Sequence, residues 1–286
     1  MPPPIVSFHP ALAAEDNRLL VSQRPLNPGD LRAVARAGAV LLPQACRRDL
    51  YALAAGLGKP LFPRGAALLA LDGKVGNHRL FAGLGLAHPP TLAFPDLARA
   101  ARAWEKGLPG LAAGGAPLVA KGAGGGMGDN VFLVENPAAL RALAGRLETA
   151  CARGPSGLVL QKYLPAGTSD LRVVILGSKT RAYWRHAPAG EWRSNLAAGG
   201  SWEAASRPAD QARGVALARE LARRAHLDLC GVDVLCPPGE PPLLLEVNAY
   251  FGREALGGTA RFLELYLGAV RAWLEGRGLD PGRVGL

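Results

Sequence analysis

The chain has 286 residues, of which 49% are hydrophobic and 20% are charged. This length fits one large domain or two modest ones, and the apolar content excludes disorder as the general state. With 33 basic and 23 acidic residues, the formal net charge is +10. Such an excess favours an anionic partner: nucleic acid, a membrane surface, or a small phosphorylated or carboxylated ligand. Few of the basic residues are lysines, so each lysine is a candidate for a specific role.

We expect a cytoplasmic protein that does not bind a membrane. The first residues, Met-Pro-Pro-Pro-Ile-Val, lack the basic and apolar regions of a secretory signal. No apolar run reaches the ~18 residues that a membrane helix needs. The four cysteines show neither metal-ligand spacing nor a nearby histidine pair, so we expect reduced, mostly buried thiols.

In chain order, the first 60 or so residues alternate short apolar runs with helical patterns. Strands are predicted at 5–8, 39–42 and 61–62, and helices at 28–37 and 47–55. This alternation is typical of a small parallel α/β unit.

The rest of the chain mixes longer helices with hairpins. Helices are predicted at 72–84, 95–106, 137–152, 209–226 and 259–274. Strands are predicted at 117–121, 130–134, 158–164, 171–176, 179–186, 230–236 and 243–249. Gly177 and Ser178 form the two-residue turn of one hairpin. We therefore expect an α/β protein whose larger part consists of α+β lobes.

The last predicted hairpin places two carboxylates opposite each other. Its loop, 237–242, is centred so that symmetric antiparallel pairing matches Asp233 with Glu246, which brings their Cβ atoms about 5 Å apart. Asn248 shares their face because side chains two apart on a strand point the same way. Two carboxylates and an amide oxygen are hard ligands suited to magnesium, particularly beside substrate phosphates. The alternatives are an exposed polar face of an edge hairpin and a register slip that separates the pair.

A glycine-rich loop follows the predicted strand at 117–121. It runs from Lys121 to Asp129 and includes Gly124, Gly125 and Gly126. Such glycines let backbone N–H groups approach a polyphosphate, and a lysine at the strand end adds a positive charge. The spacing is neither that of a P-loop nor that of a dinucleotide fingerprint. An ordinary hairpin connection is therefore the alternative.

A second segment has the chemistry of a nucleotide site. It comprises Gln161, Lys162, Tyr163 and Leu164, and it leads into the next hairpin at Asp170. The backbone of such a crossing segment can bind a base edge, and a carboxylate can hold a ribose hydroxyl. Taken alone, an ordinary strand end with a surface acid accounts for the same residues.

Polar side chains also cluster around the loop at 186–200. They are Arg185, Arg193 and Asn195. Arginine forks bind carboxylate and phosphate groups in a bidentate manner. In a chain this rich in arginine, a solvated face is the alternative.

The order of these motifs resembles the ATP-grasp superfamily and, within it, the RimK-like carboxylate–amine (glutamate) ligases. The resemblance covers about residues 72–258. The segments that carry it are Lys74 on a helix, the glycine loop after Lys121, Gln-Lys-Tyr-Leu, Asp-Leu-Arg, Arg-Ser-Asn-Leu, Gly-Val-Asp and Leu-Glu-Val-Asn.

The resemblance implies how a nucleotide would be held. Lys74 and Lys121 would contact the phosphates of ATP, one from each lobe of a cleft. The segment 161–164 would be the hinge that holds adenine, and Asp170 would lie towards the ribose. The glycine loop would cover the phosphates as a lid.

The resemblance also implies a metal and an acceptor site. The three hairpin residues would bind magnesium, as two ions, with manganese as an alternative metal. Arg185, Arg193 and Asn195 would lie near the transferred phosphate and the acceptor carboxylate.

Two segments depart from the pattern of this family. Lys162 stands in the hinge where an acidic residue is common. After Asn248 the chain reads Ala-Tyr-Phe-Gly-Arg-Glu, whereas RimK-like enzymes usually read Ala-Ser-Pro-Gly. That segment faces the acceptor side, so the substrate of RimK itself is not carried over.

The resemblance implies an ATP-dependent ligase that forms an amide or peptide bond through an acyl phosphate. Its partners would be ATP, a carboxylate substrate and an amine acceptor, either of them a small molecule, peptide or protein, and a homo-oligomer is compatible with this function. The alternatives are an ATP-grasp protein that binds nucleotide without catalysis and a basic nucleic-acid-binding protein. The few aromatic residues, 6% of the chain, and the lack of a reader motif argue against nucleic acid.

The resemblance divides the chain into two parts. Residues 1–68 would form a short Rossmann-like α/β unit that precedes the ATP-grasp domain. Residues 69–286 would form that domain, with the nucleotide cleft between a 69–160 lobe and a 161–286 lobe.

Overall fold

Three β-sheets follow one another along the chain. The computed structural model of the protein describes residues 2–20, 24–108, 110–111, 117–124, 130–151, 156–165, 169–191, 199–204 and 206–286. Within these ranges, no helix is both long enough and apolar enough to cross a membrane.

The first sheet is parallel and packs against two helices. Its elements are β1 (Ile5–Ser7), β2 (Asp16–Asn17), α1 (Pro28–Arg36), β3 (Ala39–Leu41), α2 (Arg48–Gly56) and β4 (Leu61–Phe62). The strand order is β2-β1-β3-β4, and every neighbouring pair is parallel. α1 begins with a capping box, in which the Asn27 side chain accepts from the Asp30 amide at 3.1 Å and the Asp30 carboxylate accepts from the Asn27 amide at 3.0 Å.

The second sheet is antiparallel. The elements of this part are α3 (Ala66–Ala70), α4 (Gly73–Gly83), β5 (Thr91–Phe94), α5 (Leu97–Glu105), β6 (Leu118–Gly122), β7 (Val131–Val134), α6 (Pro137–Ala142), α7 (Ala144–Cys151) and β8 (Leu158–Lys162). The strand order is β5-β8-β6-β7. Leu118, Ala120 and Leu160 form its buried face with Ala100 of α5 and Leu140 of α6.

The third sheet is also antiparallel and carries the candidate metal residues. Its elements are β9 (Ser169–Leu176), β10 (Lys179–His186), β11 (Ser201–Glu203), α8 (Pro208–Arg224), β12 (Leu229–Leu235), β13 (Leu243–Asn248) and α9 (Gly258–Glu275). The order is β11-β10-β9-β12-β13. Leu171 and Val173 pack with Leu221 of α8 on one face. Because side chains alternate along a strand, Asp170 and Arg172 lie on the opposite face.

Helix α9 joins the first sheet to the third. Phe262 and Tyr266 of α9 belong to one buried cluster with Leu41 of β3 and Val174 of β9. The Tyr266 hydroxyl donates to the carbonyl of Leu42 at 2.8 Å. The carboxyl end of β3 is therefore fixed relative to the third sheet.

Most elements lie where the sequence predicts them, including the two-residue turn that pairs Leu176 with Lys179. Among the α-helices and β-strands of the described ranges, the sequence prediction is wrong at four short elements that it omits and at one helix that divides. The omitted elements are β2, α3, β5 and β11. Each has two to five residues, which is too few for a periodic pattern. The helix predicted at 137–152 divides at Leu143 into α6 and α7.

The cysteines that the structure describes agree with the sequence prediction. Cys46, Cys230 and Cys236 are free thiols, the first half-buried and the other two buried. Burial raises the pKa of the Cys230 thiol to about 12, so this group is an inert part of the core.

Helix α4 approaches its neighbours too closely for a side chain at one position. A Cβ atom at Gly76 would lie 2.0 Å from the carbonyl oxygen of Leu71. The Asn77 side chain also connects α4 to β13. Its oxygen accepts a hydrogen bond from the Val247 amide of β13 at 2.5 Å, and its nitrogen donates to the Gly73 carbonyl of α4 at 2.9 Å. This contact fixes Lys74 relative to the third sheet.

We predict that Gly76→Ala lowers the free energy of unfolding by about 3 kcal/mol, because its Cβ clashes with backbone that cannot rotate away. Gly83→Ala is the matched control in the same helix, since nothing lies within 4 Å of its added Cβ. It should change stability by less than about 1 kcal/mol. Urea unfolding followed by circular dichroism measures both. Equal midpoints for the two variants would contradict the close approach at Gly76.

Candidate active site between the second and third sheets

The strand register gathers charged side chains on one face of the third sheet. Asp233 of β12 lies opposite Glu246 of β13, and Gly231 lies opposite Asn248. The predicted facing of the two carboxylates is therefore confirmed. The pairing shifts at Val234, which faces Leu244, so the symmetric register holds beside the site and is wrong nearer the loop. A β-bulge accounts for the difference.

A row of four buried charges crosses this face. On the other side of Asp233 lies Arg172 of β9, and Arg185 of β10 lies opposite Asp170. Arg185 donates to both oxygens of Asp170, at 2.7 and 2.6 Å, and also approaches Asp233 Oδ1 at 3.0 Å. Arg172 binds the same Asp233 carboxylate from its other side. The Nε of Arg172 donates a hydrogen bond to Oδ1, and its Nη2 donates to Oδ2 at 3.0 Å. Two guanidinium groups thus neutralise two carboxylates.

The charges of this row depend on one another. Burial by itself would raise the pKa of Asp233, but Arg172 and Arg185 outweigh burial and hold that pKa below its ordinary value. Burial likewise would lower the pKa of Arg185, while the carboxylates of Asp233 and Asp170 raise it above its ordinary value. Asp233 and Arg185 are therefore both ionised at neutral pH, as a close pair of opposite charges in a protein interior favours.

Glu246 and Asn248 face a small cavity. The cavity has a volume of about 120 Å³, and Lys74 and Asn77 of α4 line it from the other side. The Glu246 side chain is 33% exposed, and its Oε1 lies 4.0 Å from the ammonium of Lys74. Lys74 itself is only 9% exposed. The site therefore combines a buried cation with an accessible carboxylate.

The donor chemistry of this edge fits magnesium. Glu246 and Asn248 offer hard oxygen atoms beside the cavity, as a magnesium ion requires. Asp233 is adjacent, and both of its oxygens already accept hydrogen bonds from arginine. An ionised carboxylate has about four acceptor positions, so Asp233 keeps some capacity for a cation. Among the residues that the structure describes, no group of three His, Cys, Asp or Glu forms a metal cluster, so Asn248 is needed to complete the set.

Lys121 of β6 enters the site from the second sheet. Its Nζ donates to Gln161 Oε1 at 2.7 Å, the Gln161 nitrogen donates to the Thr91 hydroxyl at 2.9 Å, and this hydroxyl donates to the Pro89 carbonyl at 2.7 Å. Because each group donates to the next, the chain of hydrogen bonds fixes the direction of the Gln161 amide. Lys121 is therefore held in one place by a side chain that the sequence assigned to the hinge.

The charge of Lys121 is sensitive to its surroundings. Burial lowers the pKa of its ammonium to about 8, and Lys74 adds to this effect, whereas Glu246, Asp233 and Asp170 oppose it. These side chains come from α4 and from the third sheet, and all act on Lys121 of the second sheet. Lys74, Lys121 and the three acids Asp170, Asp233 and Glu246 therefore meet in one cleft.

The remaining predicted residues lie around this cleft or outside the described ranges. Gly124 is at the base of the glycine loop, where its carbonyl accepts from the Asn130 side chain at 3.1 Å. Lys162 is exposed at the end of β8, and its amide donates to the Pro90 carbonyl at 2.9 Å. Tyr163 and Leu164 follow it and are partly buried. The predicted residues outside the described part of the chain are Gly125, Gly126, Arg193 and Asn195.

Three contributors to the site were missed by sequence reasoning. Arg172, Asn77 and Thr91 have no assigned role there, yet they hold Asp233, β13 and Gln161 respectively. The sequence contained a signal for two of them, because Arg172 shares a strand face with Asp170 and Asn77 lies one helical turn after Lys74. Their partners lie 61 and 170 residues away in sequence, which no local pattern reveals.

The comparison with known proteins agrees with the fold. Residues 93–261 match the model of the RimK-like ATP-grasp domain family. This match covers more than half of the chain, and the protein therefore belongs to the RimK-like ATP-grasp family. Lys74 and the first sheet lie before the matched range.

The relatives with curated names match part of their own length. A "Probable alpha-L-glutamate ligase" from Serratia proteamaculans (strain 568) is 36% identical over 171 residues, which are 59% of this chain and 53% of that protein. A "Probable alpha-L-glutamate ligase 2" from Hahella chejuensis (strain KCTC 2396) is 32% identical over 185 residues, or 64% of this chain and 56% of that protein. The chain thus spans about half the length of these relatives.

Solved structures share the fold at low sequence identity. A RimK domain ATP-grasp protein from Sphaerobacter thermophilus DSM 20745 has a TM-score of 0.59 and 21% identity, covering 92% of this chain and 96% of that one. D-alanine–D-alanine ligase from Bacillus anthracis has a TM-score of 0.58 and 20% identity, covering 88% and 86%. The protein has the mixed α/β architecture of the ATP-grasp fold.

Proposed function

We propose that the protein is an ATP-dependent ligase that joins a carboxylate to an amine, with an amino acid as one substrate. The observation that carries this proposal is the meeting of Lys74, Lys121, Glu246 and Asn248 in one cleft between two sheets. The family supports it, and so do relatives named as glutamate ligases. A similar fold occurs in the Bacillus anthracis D-alanine–D-alanine ligase complexed with ATP, with a TM-score of 0.56 and 17% identity.

In the proposed complex, the nucleotide lies between the second and third sheets. Lys74 and Lys121 neutralise phosphate oxygens, and the glycine loop that begins at Gly124 covers them. The hinge 161–164 holds adenine through its backbone. Asp170 lies towards the ribose, with lone pairs that remain beside its two hydrogen bonds from Arg185.

Glu246 and Asn248, with Asp233, would hold magnesium. When bound, the ion neutralises charge on the phosphates of ATP, which is its usual contribution to phosphoryl transfer. We propose two such ions, in agreement with a site that offers two carboxylates and an amide.

The proposed reaction has two steps. An oxygen of the substrate carboxylate attacks the γ-phosphorus, the bond from this phosphorus to the ADP oxygen breaks, and an acyl phosphate forms. The amine nitrogen then attacks the acyl carbon, loses a proton, and phosphate leaves with the former carboxylate oxygen. Lys121, Arg185 and the proposed partners Arg193 and Asn195 stabilise the negative charge that spreads over the transferred group.

We further propose that the chain works as two parts. Residues 1–68 would supply one wall of the substrate site, and residues 69–286 would form the nucleotide cleft between lobes 69–160 and 161–286. The position of the first sheet supports this wall, because α9 and Tyr266 fix its carboxyl edge next to the third sheet.

One observation favours a second candidate, a protein that binds nucleotide without ligating. Both oxygens of Asp233 accept hydrogen bonds from arginine, which leaves Glu246 as the free carboxylate of the proposed metal site.

The ligase and the non-catalytic nucleotide-binding protein differ in whether they turn over ATP. The test is ADP release from ATP with magnesium, screened over amino acids and candidate acids or peptides, with mass spectrometry of each product. ADP release that needs both an acid and an amine supports the ligase, whereas ATP binding without ADP release supports the second candidate.

We predict that Glu246→Gln lowers the rate of ADP release at least 100-fold, because it removes the accessible negative ligand of the proposed metal site. The matched control is Glu240→Gln, in the exposed loop of the same hairpin, which should keep the wild-type rate. Circular dichroism should be unchanged in both. Wild-type turnover by Glu246→Gln would show that the metal assignment is wrong.

We predict that ATP affinity weakens about tenfold as the pH rises from 7 to 9. The pKa of Lys121 is about 8, so this side chain is mostly charged at pH 7 and mostly neutral at pH 9, and phosphate binding favours the charged form. Titration calorimetry with ATP and magnesium measures the dependence. Lys121→Met should bind weakly at both pH values. A wild-type affinity that does not change over this range would contradict the assigned role of Lys121.

A further inference from the structure

Arg253 and Gln44 form a polar pair that the proposed chemistry does not use. Arg253 lies five residues after Asn248, in the segment whose sequence departs from the usual family pattern. Its Nη2 donates to Gln44 Oε1 at 3.0 Å, and its guanidinium group lies 4.3 Å above the centre of the Phe262 ring. Gln44 follows β3 of the first sheet. The pair therefore bridges the first sheet and the segment after β13.

Two donors of this pair are left without an acceptor. Arg253 Nε and Gln44 Nε2 are buried, and neither has a hydrogen-bond partner among the described residues. A buried donor without a partner is unfavourable, and native proteins rarely keep one without a reason. Here two such donors occur on side chains that already contact each other.

The charge of Arg253 is also unmatched. Within the described part of the chain, the other arginines that are buried or half-buried pair with acids, for example Arg172 with Asp233, Arg185 with Asp170 and Arg207 with Asp210. Arg253 forms no such ion pair with a described residue and contacts an amide instead. A ligand would supply the missing negative charge.

The position of the pair is where a parallel sheet binds ligands. In the order β2-β1-β3-β4, the chain moves to opposite sides of β1, and ligands of open α/β sheets bind beyond the carboxyl ends of the strands at this point. Pro43 and Ala45, on either side of Gln44, line a cavity there that also contacts Ala249. Ala249 lines the cavity of Glu246 and Asn248 as well. The two cavities are therefore adjacent.

We propose that Arg253 and Gln44 bind a carboxylate of the amino-acid substrate, one that does not react. This inference rests on the proposed function and names the chemistry of its substrate. The Nε and Nη2 edge of a guanidinium matches the two coplanar oxygens of a carboxylate. The Gln44 oxygen accepts a hydrogen bond from Arg253 Nη2 and so occupies one of the two donor positions on this edge. An incoming carboxylate takes its place, and the Gln44 nitrogen then donates to the carboxylate too.

The nearby charges suit a single carboxylate. His9 stacks on Tyr266 with ring centres 5.0 Å apart, and burial together with Arg253 lowers the pKa of His9 to about 4. His9 is thus neutral at pH 7, and Arg253 supplies one positive charge for one negative charge.

The test is calorimetric titration of the full chain with L-glutamate, the substrate named for its relatives. We predict that Arg253→Met weakens binding about 30-fold, the range for a charge-assisted bidentate contact, and that Gln44→Leu weakens it about fivefold. Arg277→Met is the matched control, because the Arg277 guanidinium lies at the same 4.3 Å above Trp273. It should bind glutamate within twofold of wild type.

Two amides of glutamate identify the bound group. L-isoglutamine lacks the α-carboxylate, and L-glutamine lacks the side-chain carboxylate. The compound that lacks the carboxylate bound by Arg253 should bind weakly to wild type and with the same affinity to Arg253→Met. That result identifies which carboxylate Arg253 binds. Equal glutamate binding by wild type and Arg253→Met, or no binding by either, overturns the proposal. If Arg253→Met does not fold, Gln44→Leu decides. Because binding is measured without turnover, failure of this site and failure of ligation are separate results.

Discussion

The site depends on one physical constraint: two arginines and two aspartates are buried side by side on the third sheet. Removing charges from water costs several kcal/mol for each ion, and only close pairing recovers it. The row therefore has one favourable arrangement, in which Asp233 is shared by Arg172 and Arg185. Loss of one partner would leave a buried charge, at a cost of about 3–5 kcal/mol.

This row determines what the rest of the site can do. Since the arginines engage Asp233 and Asp170, the carboxylate that stays accessible is Glu246 at the sheet edge. Helix α4 then brings Lys74 to Glu246, because Asn77 binds the backbone of β13. Lys121 comes from the second sheet, held by Gln161 and Thr91. Two cations thus approach one carboxylate from two directions, as binding of a polyphosphate with a metal ion requires.

The structure also shows where some of the positive charges behind the net charge of +10 lie. Some arginines are buried partners of acids, as Arg172 is for Asp233, so they are not available to an external polyanion. Arg253 differs, because its charge is unmatched among the described residues and lies between the first sheet and the candidate site. The excess of positive charge thus includes at least one group placed for a carboxylate ligand rather than for nucleic acid.

Sequence could predict what depends on local spacing. The Asp233–Glu246 pair followed from the hairpin loop, and the order of motifs indicated Lys74 and Lys121, which both lie in the cleft of Glu246. It could not predict contacts between distant elements. The Arg172–Asp233 pair, the Asn77 contact with β13 and the Arg253–Gln44 pair join residues 61, 170 and 209 positions apart. The short strand β5 was missed for the same reason, since it is defined by pairing with β8.

In the proposed reaction, this cleft transfers the γ-phosphate of ATP to a substrate carboxylate before an amine displaces it. The most direct measurement uses a substrate acid labelled with ¹⁸O in its carboxylate, with mass spectrometry of the phosphate released. An acyl-phosphate route transfers one ¹⁸O atom to each phosphate. Phosphate released without ¹⁸O, while product still forms, would contradict the acyl-phosphate route.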